Sequence, residues 1–534
     1  MTRVFEQACR LPFVFAFYLL MLTAFAAPTP AAAQFTAFKQ SLAEAAAADR
    51  DVAAFYRDNK FKPIWTGPGA RDRARRTALI EALSAASLHG LPQASYDVEG
   101  LKAKMKAARG AQDRAALEVE LSQVFLRYAR HMQTGVLTPS KIDPGLVRTV
   151  PLRDRLSYLT NFAKSSPRGF FRAIMPQTPE YGRLMKAKMQ LEKSLAQGGW
   201  GQRVPAKSLK PGQSGDAVVV LRNRLAAKGY LKRSASARYD DTLQKAVQVF
   251  QADHGLEADG VAGPATITAI NASEVERLQS VIVAMERERW LNRPRGERHI
   301  LVNITDFTAR VMDNDKETFK TRAVVGKNTS DRRTPEFSDV MEHMVINPSW
   351  NVPRSITTKE YLPKMRANRN AVSHLEVVDN RGRVVPRSAV NFSGSFPYRL
   401  RQPPGTKNAL GLVKFMFPNK YNIYLHDTPA KNLFGRDVRA YSHGCVRLAE
   451  PFEFAYTLLA KQENDPKGYF HSVLDTGRET YVNLDAPVPV HIIYRTAFTD
   501  AKGRVQYRND IYGRDARIWN ALQAAGVSLR AVQG

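Results

Sequence analysis

Three patterns of apolar and polar positions follow one another along the chain, and each predicts a different kind of structure. From about residue 35 to 199, apolar side chains recur at i, i+3, i+4 spacing in Ala-rich, charge-mixed stretches such as QSLAEAAAADRDVAAFYRD and AALEVELSQVFLRYARHMQTG. In the second of these, Leu117, Leu121, Phe125 and Tyr128 fall on one helical face. The breakers TGPGA, HGLP and TPEYG divide the region into separate helices. It holds no acid pair, metal cluster or glycine loop, so residues 34–200 read as a helical scaffold.

A Gly/Pro-rich linker, GGWGQRVPAKSLKPGQSG, leads into a compact unit at 205–272. Val218, Leu221 and Leu225 make one stripe ended by Gly229; Asp241 is placed to cap a second helix with Ala246, Val247 and Phe250; a third begins near Gly263-Pro264. The pattern D..VV.LR..L...GY followed by AV..FQ..HGL..DG..G..T...I resembles the peptidoglycan-binding module found beside many wall enzymes. The plain alternative is a small helical spacer.

The pattern then changes to period two. RHILVNITDFTARVMDN reads as a strand with FKTRAVVGKNTSDRRTP as its hairpin partner, and DVMEHMVINPSW, LVKFMFPN, YNIYLHDTP and PVPVHIIYRTAFTD continue the β character. A more helical, polar passage at about 354–404 interrupts it as an insertion covering one end of a sheet. The expected fold class is multidomain α+β: a helical scaffold, a small three-helix module, a mainly β catalytic domain at 280–495 with an inserted lid, and a C-terminal extension at 496–534.

Composition adds one surprise. Hydrophobic content of 44% and charged content of 24% are those of a globular protein, but 79 Lys+Arg against 50 Asp+Glu give a net charge of +29. Such an excess points to a polyanionic partner, nucleic acid first. The N-terminus redirects that expectation. Leu11–Ala27 is an uncharged apolar run preceded by Arg3 and Arg10, and Ala31 and Ala33 stand as an A-x-A cleavage site before Gln34. Residues 1–33 therefore read as an export signal, the alternative being an uncleaved anchor slightly short of the usual span of about 20 residues. An exported, periplasmic basic protein meets cell wall, anionic lipid or polysaccharide rather than nucleic acid.

Removing that signal also removes Cys9 and leaves Cys445 as the single thiol, within YSHGCVRL. Its surroundings are polar, Gly444 permits close backbone approach, and VRLAEPFEFAYTLL reads as a helix whose N-terminal amides would favour a thiolate and hold an oxyanion. In YNIYLHDTP, a strand would put Tyr424 and His426 on one face, and His426 stands 19 residues before the thiol, the candidate general base. His443 is the rival base, better placed to orient the turn, and Asp427 can steady His426 through its side chain or its carbonyl. A zinc site from His426, His443 and Cys445 lacks the C-x-x-C and H-E-x-x-H spacings.

YLHDTP followed by SHGCVRL resembles the signature of the L,D-transpeptidases, cysteine enzymes that cross-link bacterial peptidoglycan. RTPEFSDVMEHMVINPSWNVPRSI, RQPPGTKNALGLVKFMFPN and GRVQYRNDIYGRD are similar to the large, multidomain branch of that family, with its helical scaffold, peptidoglycan-binding module and lid. The resemblance implies Cys445 as nucleophile, His426 as base, oxyanion amides from Gly444 and Cys445, and His443 and Arg447 shaping the turn and contacting substrate, with Tyr424 a pocket residue. A glycine or serine often follows the histidine in the family; here it is Asp427, which can still orient the imidazole through its carbonyl. It further implies tetrapeptide stems and glycan strands as partners, transfer to an amine, water or an outer-membrane protein, acylation by carbapenems, and no cofactor or metal. A non-catalytic wall-binding protein is the contrasting class; a papain-like protease would need the opposite order of Cys and His.

Overall fold

The computed structural model describes residues 30–529; the apolar run Leu11–Ala27, its flanking Arg3 and Arg10, and Cys9 lie outside the described residues. The scaffold is helical, from Pro30–Ala46 to Pro179–Ala196, and the long helix Ala111–Thr134 runs through its core with Leu117, Leu121, Phe125 and Tyr128 buried. Short polar residues start the helices: the side chains of Asp49, Asp97, Asp154 and Thr178 each accept from an N–H in the first turn. The same long helix buries Glu118, whose carboxylate accepts the N–H groups of Ile64 (2.6 Å), Trp65 (3.0 Å) and Thr66 (2.7 Å) and the Tyr56 hydroxyl (2.8 Å). It takes the place of a missing ladder for that loop.

The small unit has its three helices at Asp216–Ala227, Asp241–Asp253 and Pro264–Asn271, around Val218, Leu221, Leu225, Ala246, Val247 and Phe250. The cap of its second helix is Asp240, one residue before the expected Asp241, which is already helical; the Asp240 side chain accepts from Leu243 N–H at 2.9 Å.

The β region holds β1 (Arg298–Asn303), β2 (Thr308–Asp313), β3 (Lys316–Gly326), β4 (Phe337–Ile346), β5 (Trp350–Asn351), β6 (Glu376–Val378), β7 (Arg399–Gln402), β8 (Val413–Met416), β9 (Leu425–His426), β10 (Ala440–Ser442), β11 (Val446–Leu448), β12 (Thr480–Ile493), β13 (Ala497–Thr499) and β14 (Val505–Tyr507). Nine of them form one sheet in the order β10-β3-β11-β9-β8-β4-β12-β1-β2, and β2 pairs back onto β3, so the sheet closes on itself. The run expected as one strand from Arg298 is itself a hairpin, β1 and β2, turned at Phe307. Helices Pro451–Leu459 and Pro466–Leu474 pack Phe454, Leu458 and Phe470 into the enclosed core.

Two expectations need correction. The inserted lid is more than a polar helical passage. It contains the three-stranded sheet β5-β7-β6 and an apolar core of its own around Trp350, Met365, Val377, Phe392 and Leu400. In addition, the boundary expected at 280 falls inside the helix Glu274–Trp290, begun by a capping box between Ser273 and Glu276 and buried along all of Val281–Trp290. That helix also packs on Pro179–Ala196 and on the C-terminal helix Arg514–Ala524, so the C-terminal extension is part of the shared core rather than an appendage.

The buried charges at this junction are paired. Arg287 meets Glu336 at 2.6 Å and Asp515 at 2.7 Å; Arg148 and Arg514 approach the same Glu336 at 3.7 and 3.3 Å. One carboxylate thus ties the scaffold, the central helix, the sheet and the C-terminal helix together. Removing it leaves Arg148 without a carboxylate and Arg287 and Arg514 with one fewer, Asp515 and Asp143 remaining, in a water-poor interior, a loss of about 3–5 kcal/mol. Glu336→Ala is expected to lower unfolding stability by that amount in urea titration; a change below about 1 kcal/mol would show that the ion cluster is not what joins these segments.

Candidate active site

The crevice is built on the pairing of β9 with β11. The two run parallel, with Leu425 opposite Val446 and His426 opposite Arg447, and Val446 N–H donates to Tyr424 O at 3.1 Å. Leu425 and Val446 are fully buried in the sheet core. Alternation therefore sends Tyr424, His426, Cys445 and Arg447 to the opposite face, on strands about 4.8 Å apart. Thiol and imidazole become diagonal neighbours, and the rings of Tyr424 and His426 meet edge to face at 5.6 Å.

The structure changes the picture of the thiol. Cys445 does not open a helix: Val446 and Leu448 alternate inward as β11, and the next helix begins only at Pro451. No helix dipole acts on the sulfur. Burial pushes the Cys445 thiol up to about 11, opposed by hydrogen bonds from the Tyr424 main chain and hydroxyl and by the Arg447 charge. The thiol itself donates to Asn422 O at 3.4 Å. The imidazole of His426 is pushed down to about 3, first by burial and then by the Arg447 charge, while the carbonyls of Asp427 and Leu410 pull the other way. At neutral pH the resting pair is thiol and neutral imidazole.

His426 Nδ1–H donates to the carbonyl of Asp427 at 2.5 Å, leaving Nε2 as the ring's lone-pair nitrogen. Asp427 thus orients the base through its backbone. Its carboxylate instead accepts from Leu412 N–H (2.9 Å), Thr428 N–H (2.7 Å) and Lys431 (2.6 Å), pinning the loop before β8. Gly411 in that loop has φ +63°, and a Cβ there would sit 2.2 Å from Asp427 Oδ2, so only glycine allows the approach.

Ser442 fastens the Cys445 turn. Its hydroxyl donates to Cys445 O at 2.5 Å and accepts from Gly444 N–H at 3.1 Å. Thr334 closes the turn from below, donating to Gly444 O at 2.7 Å. Gly444 has φ +121°, a region closed to side chains. The expected pair of oxyanion amides is therefore halved: Gly444 N–H is engaged by Ser442, while among the described residues no acceptor is seen for Cys445 N–H. His443 points away from the sulfur, with Nε2 at 2.7 Å from Glu360 in the lid, so it is not a rival base. Arg332 joins the same carboxylate at 2.6 Å, and Lys359 meets Asp331 at 3.1 Å. Together these pairs fasten the lid over the turn. The Arg447 Nε is buried without a partner, one charge-bearing donor left open beside the thiol.

Sequence reasoning missed Glu360, Arg332, Thr334 and Trp350, the last of which hydrogen-bonds the Tyr424 hydroxyl from the lid. Their only sequence signal is a position next to quoted stretches, because the contacts join residues 28 to 110 apart. Among the described residues no group of three or more His, Cys, Asp or Glu side chains is gathered closely enough to hold a metal.

A family model of the L,D-transpeptidase catalytic domain matches residues 297–486, one of a scaffold domain matches 50–187, and one described as "Putative peptidoglycan binding domain" matches 214–270. Among curated proteins, the chain is 34% identical over 241 residues to a "Putative L,D-transpeptidase" of Haemophilus influenzae, covering 44% of this chain and 48% of that one. It is 41% identical over 68 residues to a "Probable N-acetylmuramoyl-L-alanine amidase" of Bacillus licheniformis, covering 12% and 19%. The match spans about half the length of the first relative and about a fifth of the second. A solved L,D-transpeptidase of Stackebrandtia nassauensis shares 15% identity over 54% of this chain and 96% of its own, with a TM-score of 0.22, too loose a superposition to add to the assignment. Residues 297–486 thus carry an L,D-transpeptidase catalytic domain, joined in the same chain to a scaffold domain and a peptidoglycan-binding domain.

Proposed function

We propose that the chain acylates Cys445 with a peptidoglycan tetrapeptide stem and passes the acyl group to an amine on a neighbouring stem, forming a 3-3 cross-link outside the inner membrane. The observation that carries this reading is the β9–β11 register, which sets Cys445, His426 and Tyr424 on one face beneath the lid. The export segment at residues 1–33 supports the location, periplasmic or held at the membrane if uncleaved.

The reaction follows from a neutral resting pair. As Cys445 Sγ attacks the carbonyl of the L-centre of a diaminopimelate residue, its proton passes to His426 Nε2. The Asp427 carbonyl steadies the imidazolium, and Tyr424 and Arg447 offset the charge left on sulfur and substrate. Cys445 N–H is the donor available to the oxyanion. Collapse breaks the amide bond, His426 returns the proton to the departing D-alanine nitrogen, and a thioester remains. An acceptor amine then attacks, His426 takes its proton, and the thiol is released. Water as acceptor gives a carboxypeptidase; an amine of an outer-membrane protein gives an anchoring enzyme. Product analysis with and without added amine separates the three.

Three outcomes are expected. Wild-type protein should convert tetrapeptide wall fragments to dimers, and Cys445→Ala should reduce this to less than about one ten-thousandth; undiminished dimers in the variant would overturn the assignment. Because the thiol is held near 11, iodoacetamide labelling of Cys445 should rise about tenfold per pH unit from roughly pH 7 to 10. An early plateau near neutrality would instead mean a preformed thiolate. A carbapenem should add its mass once to the wild-type chain in intact-mass spectra and not at all to Cys445→Ala.

A further inference from the structure

A second cavity, of about 330 Å³, lies where five parts of the chain meet: the scaffold helix Pro179–Ala196, the linker at Trp200, the peptidoglycan-binding domain, the central helix Glu274–Trp290, and the C-terminal hairpin β13–β14. It shares no residue with the crevice of Cys445. Its size falls within the range of small-ligand pockets. No Asp or Glu lines it, whereas Lys228, Arg277 and Arg504 do.

These cations are poorly matched by the protein itself. Lys228 Nζ lies 3.0 Å from the centroid of the Trp200 ring, and among the described residues no carboxylate pairs with it. Arg277 stands over Tyr507 at 4.4 Å and donates to Ala269 O, at 3.2 Å, rather than to an acid. Only Arg504 of the three has an acid, Asp253 at 3.2 Å. Aromatic walls complete the pocket: the His254 ring stacks on Phe250 at 3.8 Å and on Tyr507 at 5.6 Å, and Tyr230 meets Phe250 edge to face at 5.2 Å. Burial, with the repulsion of Arg224 and Arg277 and against the weaker attraction of Glu274, pushes the Lys228 amine down to about 6, so an entering anion would restore its charge.

Basic side chains of which two lack an ion pair, set among flat apolar faces, suit a ligand that carries free carboxylates on an amide or sugar framework. We propose that this junction pocket binds the free carboxylates of a peptidoglycan peptide stem, as a holding site separate from the catalytic crevice. The inference rests on the reading of peptidoglycan as substrate. It also means that the three-helix domain alone lacks more than half of the site, since Trp200, Arg277, Arg504 and Tyr507 come from outside it.

The test is calorimetric titration of the full chain, carrying Cys445→Ala to prevent turnover, with a disaccharide-tetrapeptide and with the same fragment amidated at its carboxyl groups. Binding of the acidic fragment should take up protons near pH 7.5, weaken at least about tenfold with Lys228→Gln plus Arg277→Gln, and be kept by Lys228→Arg. The amidated fragment should bind equally weakly to the unmutated pocket, a comparison that does not depend on how the variants fold. Equal affinity for both fragments, or no proton uptake, overturns the proposal. Thioester formation by wild-type chain is measured in parallel. A thioester without carboxylate-dependent binding sinks the pocket alone; carboxylate-dependent binding without any thioester sinks the enzymatic reading alone.

Discussion

The carboxylate of Glu336 lies between three guanidinium groups, and the position of the Cys445 turn depends on it. Arg287 comes from the central helix, Arg148 from the scaffold and Arg514 from the C-terminal helix. Two residues earlier, Thr334 accepts from Arg514 through its carbonyl at 3.0 Å and gives its hydroxyl proton to Gly444 O. A chain of polar contacts therefore runs from the interdomain core to the residue next to Cys445. Such a buried cluster adds little net stability over an apolar core of the same shape, but it admits few alternative arrangements. Its contribution here is to give separate segments a single mutual position.

Above the turn, the constraint is of another kind. Glu360 reaches down from the lid to His443 and Arg332, both part-exposed, so these contacts are weak and screened by salt. Below Cys445 the holding groups are buried and strong; above it they are exposed and readily exchanged. That asymmetry lets the cover move while Cys445 stays fixed.

Much of this is legible in the residues. Leu117, Leu121, Phe125 and Tyr128 lie buried as their spacing requires, and the alternation in YNIYLHDTP correctly places Tyr424 with His426. What stays hidden has physical causes. The central helix escapes notice because its second half, MERERW, looks like a solvated surface; each of those charges is in fact buried against a partner. The helix expected after Cys445 is displaced because Val446 and Leu448 satisfy the sheet, and Pro451 suits the first position of a helix. The lid's strands are two to four residues long, too short for period two to register.

The protonated state of the sulfur has a consequence for the durability of the protein. Peroxide and disulfide exchange act on thiolates, and the first step of oxidation to a sulfenic acid follows thiolate content. A thiol held near 11 offers almost none of that form at neutral pH. Cys445 is thus shielded from oxidants through the burial that keeps its proton in place.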